Sequence, residues 1–326
     1  MIEVKDLTKR FGDLVAVDQL NFEVKPGEVF GLLGPNGAGK TTTLYMLCTI
    51  LKPTSGTAII NGYDVTKYPS KVRKSIGIIF QEPSIDDRLT GRENLEMHAN
   101  LYGVPRSEQK KRIDEVLELV ELSDRANSLL RTYSGGMRRR LEIARALVHY
   151  PKVLFLDEPT IGLDPQTRDH VWRYISDLSK REDITMILTT HYMEEADKLC
   201  ERIAIIDHGK IIALDQPKKL KEELEGDVIS IKTDSVKELA DKLAETIQVK
   251  SAKQAAGELE LVVKKGNELI PQIVDIATSS GIRIQSVSLH EPTLEDVFLH
   301  YTGRKIRPEG AEEYHGMAAA RRRSIR

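Results

Sequence analysis

The sequence predicts an α/β protein built on a mostly parallel sheet, followed by a smaller α+β unit, and three observations carry that expectation. Short apolar, β-branched runs alternate with longer segments of helical periodicity. A glycine-rich loop joins one such run to a helix. Beyond Pro217 the rhythm changes to a compact β-α-β-β-α-β order.

The apolar runs are Val29 to Leu33, Ile76 to Phe80, Val153 to Asp157, Thr185 to Thr189 and Ile203 to Asp207. A strand apolar on successive residues is covered on both faces, the condition of a parallel sheet. Glu93 to Tyr102, Lys110 to Val120 and Met137 to Val148 carry apolar residues at helical spacing. They group as a helical subdomain over about 85–150.

With 326 residues the chain exceeds a single core, so a large and a small domain are expected. The boundary falls after 215, where Pro217 and the charged stretch Lys218 to Glu225 interrupt the pattern. Over 216–303, strands at Val228 to Lys232, Thr246 to Lys250, Leu259 to Val263 and Ile282 to Leu289 flank helices at Val236 to Ala244 and Asn267 to Ser280. That order is expected to make a ferredoxin-like sandwich. A closing helix, Pro292 to Tyr301, aligns Leu294, Val297, Phe298 and Tyr301 on one face. Residues 304–326 form a basic tail, expected to be solvated and disordered; attraction to anionic lipid is the alternative.

Composition narrows the function classes. An apolar share of 40% and a charged share of 30% describe a soluble globular chain. The 48 basic residues against 50 acids give a net charge of −2, so no nucleic-acid partner is expected. No stretch of 18 residues is uninterruptedly apolar and no basic or apolar leader opens the sequence, so the chain is expected neither to span a bilayer nor to be secreted. Cys48 and Cys200 are expected to be core thiols in a reducing compartment.

Gly34-Pro35-Asn36-Gly37-Ala38-Gly39-Lys40-Thr41 fits G-x-x-x-x-G-K-S/T between a strand and a helix that begins near Thr41. Glycines let the backbone curl so that N–H groups converge on phosphate oxygens, and the helix N-terminus adds partial positive charge. These residues with Thr42 are the expected ATP contacts. Lys40 should reach the β- and γ-phosphates and the Thr41 hydroxyl should ligate Mg2+. A chance glycine-rich surface turn would lack the strand and helix on either side.

The run Val153 to Leu156 ends on Asp157 and Glu158. Adjacent strand residues point to opposite faces, so the strand must be ending for both to enter one site. Asp157 is then the carboxylate that organises the metal, and Glu158 the base that polarises an attacking water. Taken alone the pair is an ordinary solvated strand end; Pro159-Thr160 forces a turn where ligands of such sheets bind.

Tyr133-Ser134-Gly135-Gly136-Met137 and the helix after it resemble the signature of ATP-binding cassette (ABC) ATPases. Tyrosine and methionine replace the family's usual leucine and glutamine, while the Ser-Gly-Gly centre is kept. Gln81 resembles the Q-loop glutamine, Asp164 in Gly162-Leu163-Asp164 the D-loop, His191 the switch histidine and Phe11 the aromatic that stacks on adenine. The resemblance covers about 1–215 and implies a P-loop NTPase cassette with a helical signature subdomain. The signature together with Glu291 to Phe298 resembles the daunorubicin/doxorubicin-resistance type of ATP-binding subunit.

The resemblance implies a dimer with a second copy of the chain, in which Ser134, Gly135 and Gly136 face the ATP held by the partner and Asp164 crosses the interface. It implies that Gln81 ligates magnesium or positions water, with its loop through Asp87 touching a separate transmembrane permease, and that His191 binds the γ-phosphate. Peripheral attachment to the cytoplasmic face of the membrane and export of a drug or antibiotic follow as expectations of the same kind. A soluble DNA-repair or chromosome ATPase usually carries a long coiled-coil insertion before the signature, and none is present. A purely regulatory module would not need both Glu158 and His191, and no N/T-K-x-D string reads guanine.

Overall fold

The structure, a computed structural model, describes residues 2–82, 84–182, 184–224, 226–246, 251–255, 258–264 and 266–303. It divides into two compact units, Met1–Leu224 and Glu225–Arg326. The division lies nine residues beyond 215, because the short helix after Pro217 packs on the larger unit.

In chain order the larger unit contains β1 (Ile2–Phe11), β2 (Leu14–Val24), β3 (Val29–Leu33), α1 (Lys40–Leu47), β4 (Ser55–Ile60), β5 (Tyr63–Asp64), α2 (Pro69–Ser75) and β6 (Ile76–Ile79). Then come α3 (Gly91–Leu101), α4 (Arg106–Leu119), α5 (Gly135–Leu147), β7 (Val153–Asp157), α6 (Pro165–Glu182), β8 (Thr185–Thr190) and α7 (Met193–Leu199). β9 (Arg202–Asp207), β10 (Lys210–Asp215) and α8 (Pro217–Glu222) complete it.

Five of the six strands in the central sheet, ordered β10-β9-β3-β8-β7-β6, run parallel; β10 is an antiparallel edge. β3, β7 and β8 are buried along their whole length; apolar residues fill them except at Asp157, Thr185, Thr189 and Thr190. Their register, with Val29 opposite Met186 and Val153 opposite Thr185, levels the strand ends, so the following loops open on one edge. That edge is where ligands of such sheets bind.

A second, antiparallel sheet, β2-β1-β4-β5, was not evident in the sequence, because β1 carries register shifts at Val4/Leu7 and Leu7/Lys9 that break the two-residue alternation. Its inner face and the central sheet enclose a core with Leu20, Phe22, Phe30, Phe155 and Ile187, in which Phe22 and Phe30 stack at 5.2 Å. Leu44, Met46 and Leu47 of α1 are buried in the same core. The helix that follows the phosphate loop is thereby fixed by packing.

α3, α4 and α5 match the three helical periodicities, each starting a few residues earlier than the apolar pattern. For α3 and α5 the reason is capping, which is polar: Thr90 and Glu93 form a capping box on α3, and the Ser134 hydroxyl accepts the Met137 N–H on α5, whereas α4 starts after Pro105 without a side-chain cap. Arg112 reaches the Leu147 carbonyl at 2.8 Å, and His149 Nε2 sits 2.8 Å from the Ile76 carbonyl. These bonds tie α4 to the end of α5, and the residues after α5 to the start of β6.

The smaller unit contains β11 (Asp227–Thr233), α9 (Val236–Thr246), β12 (Ser251–Ala255), β13 (Glu258–Val263), α10 (Gly266–Ser279), β14 (Ile284–His290) and α11 (Leu294–Thr302). Its sheet is antiparallel throughout, in the order β12-β13-β11-β14, over its own core of Ile229, Ile231, Leu239, Leu243, Leu261 and Ile273. The second strand of this unit does not begin at Thr246: α9 continues to that residue, whose hydroxyl bonds back to the Lys242 carbonyl, and β12 starts at Ser251. Residues 247–250 and the basic tail, 304–326, lie outside the described residues. α11 buries Leu294, Val297, Phe298 and Leu299, whereas Tyr301 is 44% exposed. Three of the four anticipated residues are therefore buried, and Leu299 takes the place of Tyr301 on the buried face.

Candidate active site

The loop from Gly34 to Gly39 is held from outside as well as by its own turn. Gly34 donates its N–H to the Thr190 carbonyl, and Ala38 accepts from Gly209 N–H. Gly39 has φ +104°, and a Cβ there would lie 2.5 Å from the Ala16 carbonyl oxygen, so only glycine fits. Lys40 is buried; its ammonium donates to the Gly34 and Pro35 carbonyls at 2.7 and 3.0 Å and lies 3.5 Å from Glu158 Oε1. Burial lowers its pKa, opposed by the nearby carboxylates of Glu158 and Asp157.

Asp157, at the end of β7, is wholly buried, and its Oδ1 accepts the hydroxyls of Thr41 at 3.0 Å and Thr189 at 2.6 Å. Its Oδ2 is buried without a hydrogen-bond partner. Burial raises the pKa of this carboxyl despite the two hydroxyls. Glu158 follows with φ +46°, a left-handed backbone that breaks the alternation of the strand. The turn brings both carboxylates to one site. Glu158 N–H is held by the Thr189 carbonyl and hydroxyl, at 3.1 and 3.0 Å.

His191, directly after β8, places Nδ1 3.1 Å from Glu158 Oε2, within ion-pair distance but without the alignment of a hydrogen bond. Burial alone would raise the Glu158 pKa, but His191 and Lys40 outweigh it and the net shift is downward. Glu158 is therefore a carboxylate between two nitrogen groups, beside the phosphate loop.

Lys40, Thr41, Asp157, Glu158 and His191 thus converge, from the ends of β3, β7 and β8. Gln81 follows the end of β6 in the same sheet and is half-buried. Pro83, inside its loop, lies outside the described residues. Phe11, at the tip of the β1–β2 hairpin, is 47% exposed, its ring under the Lys9 ammonium at 5.0 Å.

The signature residues are elsewhere. Ser134 and Gly135 are exposed at the start of α5. Gly136 packs so closely that a Cβ would lie 2.6 Å from Thr167 Cγ2, and Asp164 accepts the Thr167 N–H and hydroxyl at the head of α6. Signature and D-loop residues are neighbours on this surface, and no bond described here joins them to Lys40 or Glu158 of the same chain.

Several site residues had no signal of their own in the sequence. Glu195, on α7, is fully buried; its Oε1 accepts the Thr160 hydroxyl at 2.7 Å and the Trp172 indole N–H at 2.8 Å. Burial raises its pKa. Arg139 and Glu142, on α5, form a buried ion pair at 2.8 Å. Only their i, i+3 spacing of opposite charges on an otherwise apolar helix face distinguished them.

The set can bind a polyphosphate through the loop N–H groups and Lys40, and hold a water against Glu158. Residues 17–161 match the ABC transporter family, and residues 216–302 match the C-terminal domain of DrrA1-3-like ATP-binding proteins. The chain is 37% identical over 311 residues to the linearmycin resistance ATP-binding protein LnrL of Bacillus subtilis, covering 94% of this chain and 100% of that one. It is 39% identical over 319 residues to the daunorubicin/doxorubicin resistance ATP-binding protein DrrA of Streptomyces peucetius, covering 96% and 95%. Among solved structures it resembles cbiO1 of Clostridium perfringens, part of the ABC transporter complex cbiONQ, with TM-score 0.64 and 31% identity over 69% of this chain and 91% of that one. It also resembles the dimeric cassette MJ0796 bound to ADP and Pi, with TM-score 0.60 and 29% identity over 66% and 98%. The chain belongs to the ATP-binding, ATP-hydrolysing subunits of ABC transporters, in the group that carries the DrrA-like C-terminal domain.

Proposed function

We propose that this subunit dimerises with a second copy around two ATP molecules and drives export through a separate membrane permease. The convergence of Lys40, Asp157, Glu158 and His191 beside the phosphate loop carries this reading. The loop N–H groups and Lys40 bind the β- and γ-phosphates, Phe11 offers an exposed ring to adenine, and Glu158 accepts a proton from the attacking water. His191, beside Glu158, contacts the γ-phosphate, and Gln81 ligates Mg2+ or positions the water.

The residues present fit Mg2+. Among the described residues no cluster of three or more His, Cys, Asp or Glu could hold a metal, and Mg2+ takes few protein ligands when phosphates supply the rest. The Thr41 hydroxyl and the Asp157 carboxylate, with its orphaned Oδ2, would hold it. Bound there, the ion supplies charge neutralisation between the phosphates.

Exposure of Ser134 and Gly135, next to Asp164, supports their use across a dimer interface, as does the dimeric form of MJ0796. Among the described residues no helix is long and apolar enough to cross a membrane, which fits peripheral attachment through a permease at the cytoplasmic face. The cargo class, a drug or antibiotic, is inferred from the resistance names of LnrL and DrrA. The antiparallel order of the smaller unit supports a ferredoxin-like accessory domain, beginning after Leu224 and not at 216.

Co-purification with its permease and ATP-dependent extrusion of an antibiotic from vesicles test the reading. A complex that hydrolyses ATP and extrudes no drug or antibiotic would overturn the export assignment.

A further inference from the structure

The buried Arg139 guanidinium uses all five of its N–H donors on protein oxygens. Nε donates to the Pro159 carbonyl at 2.6 Å, Nη1 to the Phe80 carbonyl at 2.7 Å and to Glu142 Oε2 at 2.8 Å, and Nη2 to the carbonyls of Asp157 at 3.4 Å and Glu158 at 3.3 Å. Three successive carbonyls, from residues 157, 158 and 159, thus point at one planar cation. Extended strand residues alternate their carbonyl directions, so this convergence needs the chain to turn, and the turn occurs at Glu158 with φ +46°.

A left-handed backbone at a non-glycine residue is strained and persists where the surroundings over-determine it. Here the opposing restraints are visible: Thr189 holds the Glu158 N–H from one side, and Arg139 holds the carbonyls from the other. Glu142, the partner of Arg139, spends its second oxygen on the Ser84 N–H at 2.9 Å. The pair therefore grips Phe80 and Ser84, one on each side of Gln81 in the sequence.

We propose that Arg139 is a positioning residue for ATP hydrolysis, holding the Asp157–Pro159 turn so that Glu158 faces the attacking water, while Glu142 locks Arg139 and the Gln81 loop into the same frame. Because both residues lie on α5, whose first turn is the signature, the catalytic turn of each chain is fastened to the helix that contacts the partner's ATP. This deepens the functional reading and rests on Glu158 being the base.

Lysine cannot replace this arginine, having three donors on a flexible stem where five in a rigid fork are used. The test uses the full-length chain with Arg139→Lys, Glu142→Gln, Glu158→Gln and the double variant Arg139→Lys/Glu158→Gln, read by kcat, KM, ATP affinity and thermal melting. Arg139→Lys is expected to lower kcat about 10- to 100-fold with ATP affinity within about threefold, the range expected for misplacing a catalytic group. Glu142→Gln is expected to lower kcat about three- to tenfold by loosening the same frame. Because Arg139 acts mainly by aiming Glu158, most of its effect should vanish once Glu158 is gone, so the double variant should turn over within about threefold of Glu158→Gln.

If Arg139→Lys keeps the wild-type kcat, or lowers affinity and residual turnover equally in both backgrounds, the proposal is overturned while Glu158 keeps its role. Near wild-type turnover of Glu158→Gln overturns the reading of Glu158 and the proposal with it. Should Arg139→Lys fail to fold, Glu142→Gln decides: an unchanged kcat rejects the common frame.

Discussion

His191 Nδ1 lies 3.1 Å from Glu158 Oε2, on the side of the carboxylate opposite the oxygen that faces Lys40 at 3.5 Å. The carboxylate is thereby kept ionised, its pKa lowered in spite of burial. Replacing it removes the proposed base and leaves the loop N–H groups, Thr41 and Asp157 in place. Glu158→Gln is expected to bind ATP with nearly wild-type affinity and to turn over about 10²- to 10⁴-fold more slowly. Its ATP-bound dimer should accumulate on size-exclusion chromatography. Turnover close to wild type would remove Glu158 from the reaction.

The separation of Ser134 from Lys40 within one chain makes the composite site testable. Lys40→Ala loses a phosphate contact, and Ser134→Arg places a bulky side chain on the exposed signature; each should be inactive alone. In a mixed dimer one of the two sites combines an intact phosphate loop with an intact signature. Random exchange makes about half the dimers mixed, so about a quarter of wild-type activity should return if sites fire independently. No recovery after confirmed subunit exchange would point to sites within a single chain or to obligate coupling. A covalently linked heterodimer with one mutation reverted separates those two.

Each unit has a core of its own, and the nucleotide residues all precede the division at Leu224. A chain ending before Gly226 should therefore stay folded and bind ATP, while assembly with the permease is expected to fail. Circular dichroism and nucleotide titration check this. A truncated chain that unfolds would show that the larger unit depends on the smaller.

His98 on α3 packs against Tyr102 at 4.6 Å and His149 at 5.7 Å, and burial with Arg145 and His149 nearby holds its pKa at about 3. A histidine depressed below its unfolded value stabilises the fold above that value, and the benefit declines as acid protonates the unfolded chain. Between pH 7 and pH 5 this group should cost the protein about 2 kcal/mol of stability. Chemical denaturation at the two pH values should show a shallower loss in His98→Phe than in wild type. Equal slopes would remove His98 as the cause.

The sequence alone determined the chemistry that depends on local pattern. Gly34 to Thr41 could be read because a phosphate loop needs its glycines, lysine and hydroxyl at fixed spacing, and β7 because a doubly covered strand must be apolar throughout. The central strands followed from short apolar runs and the helices from period, with errors at ends such as Gly91 and Thr246, where caps and side-chain bonds decide. β1 escaped because its register shifts erase the period that reveals a strand. What only tertiary structure decided is how distant segments meet: Thr189 on Asp157, Arg139 on the carbonyls of residues 157–159, Glu195 beneath Thr160 and Trp172. Such contacts join residues 18 to 35 positions apart in the sequence. They leave no periodic trace there, because a buried hydrogen bond depends on where two elements pack and not on the spacing of residues along either one.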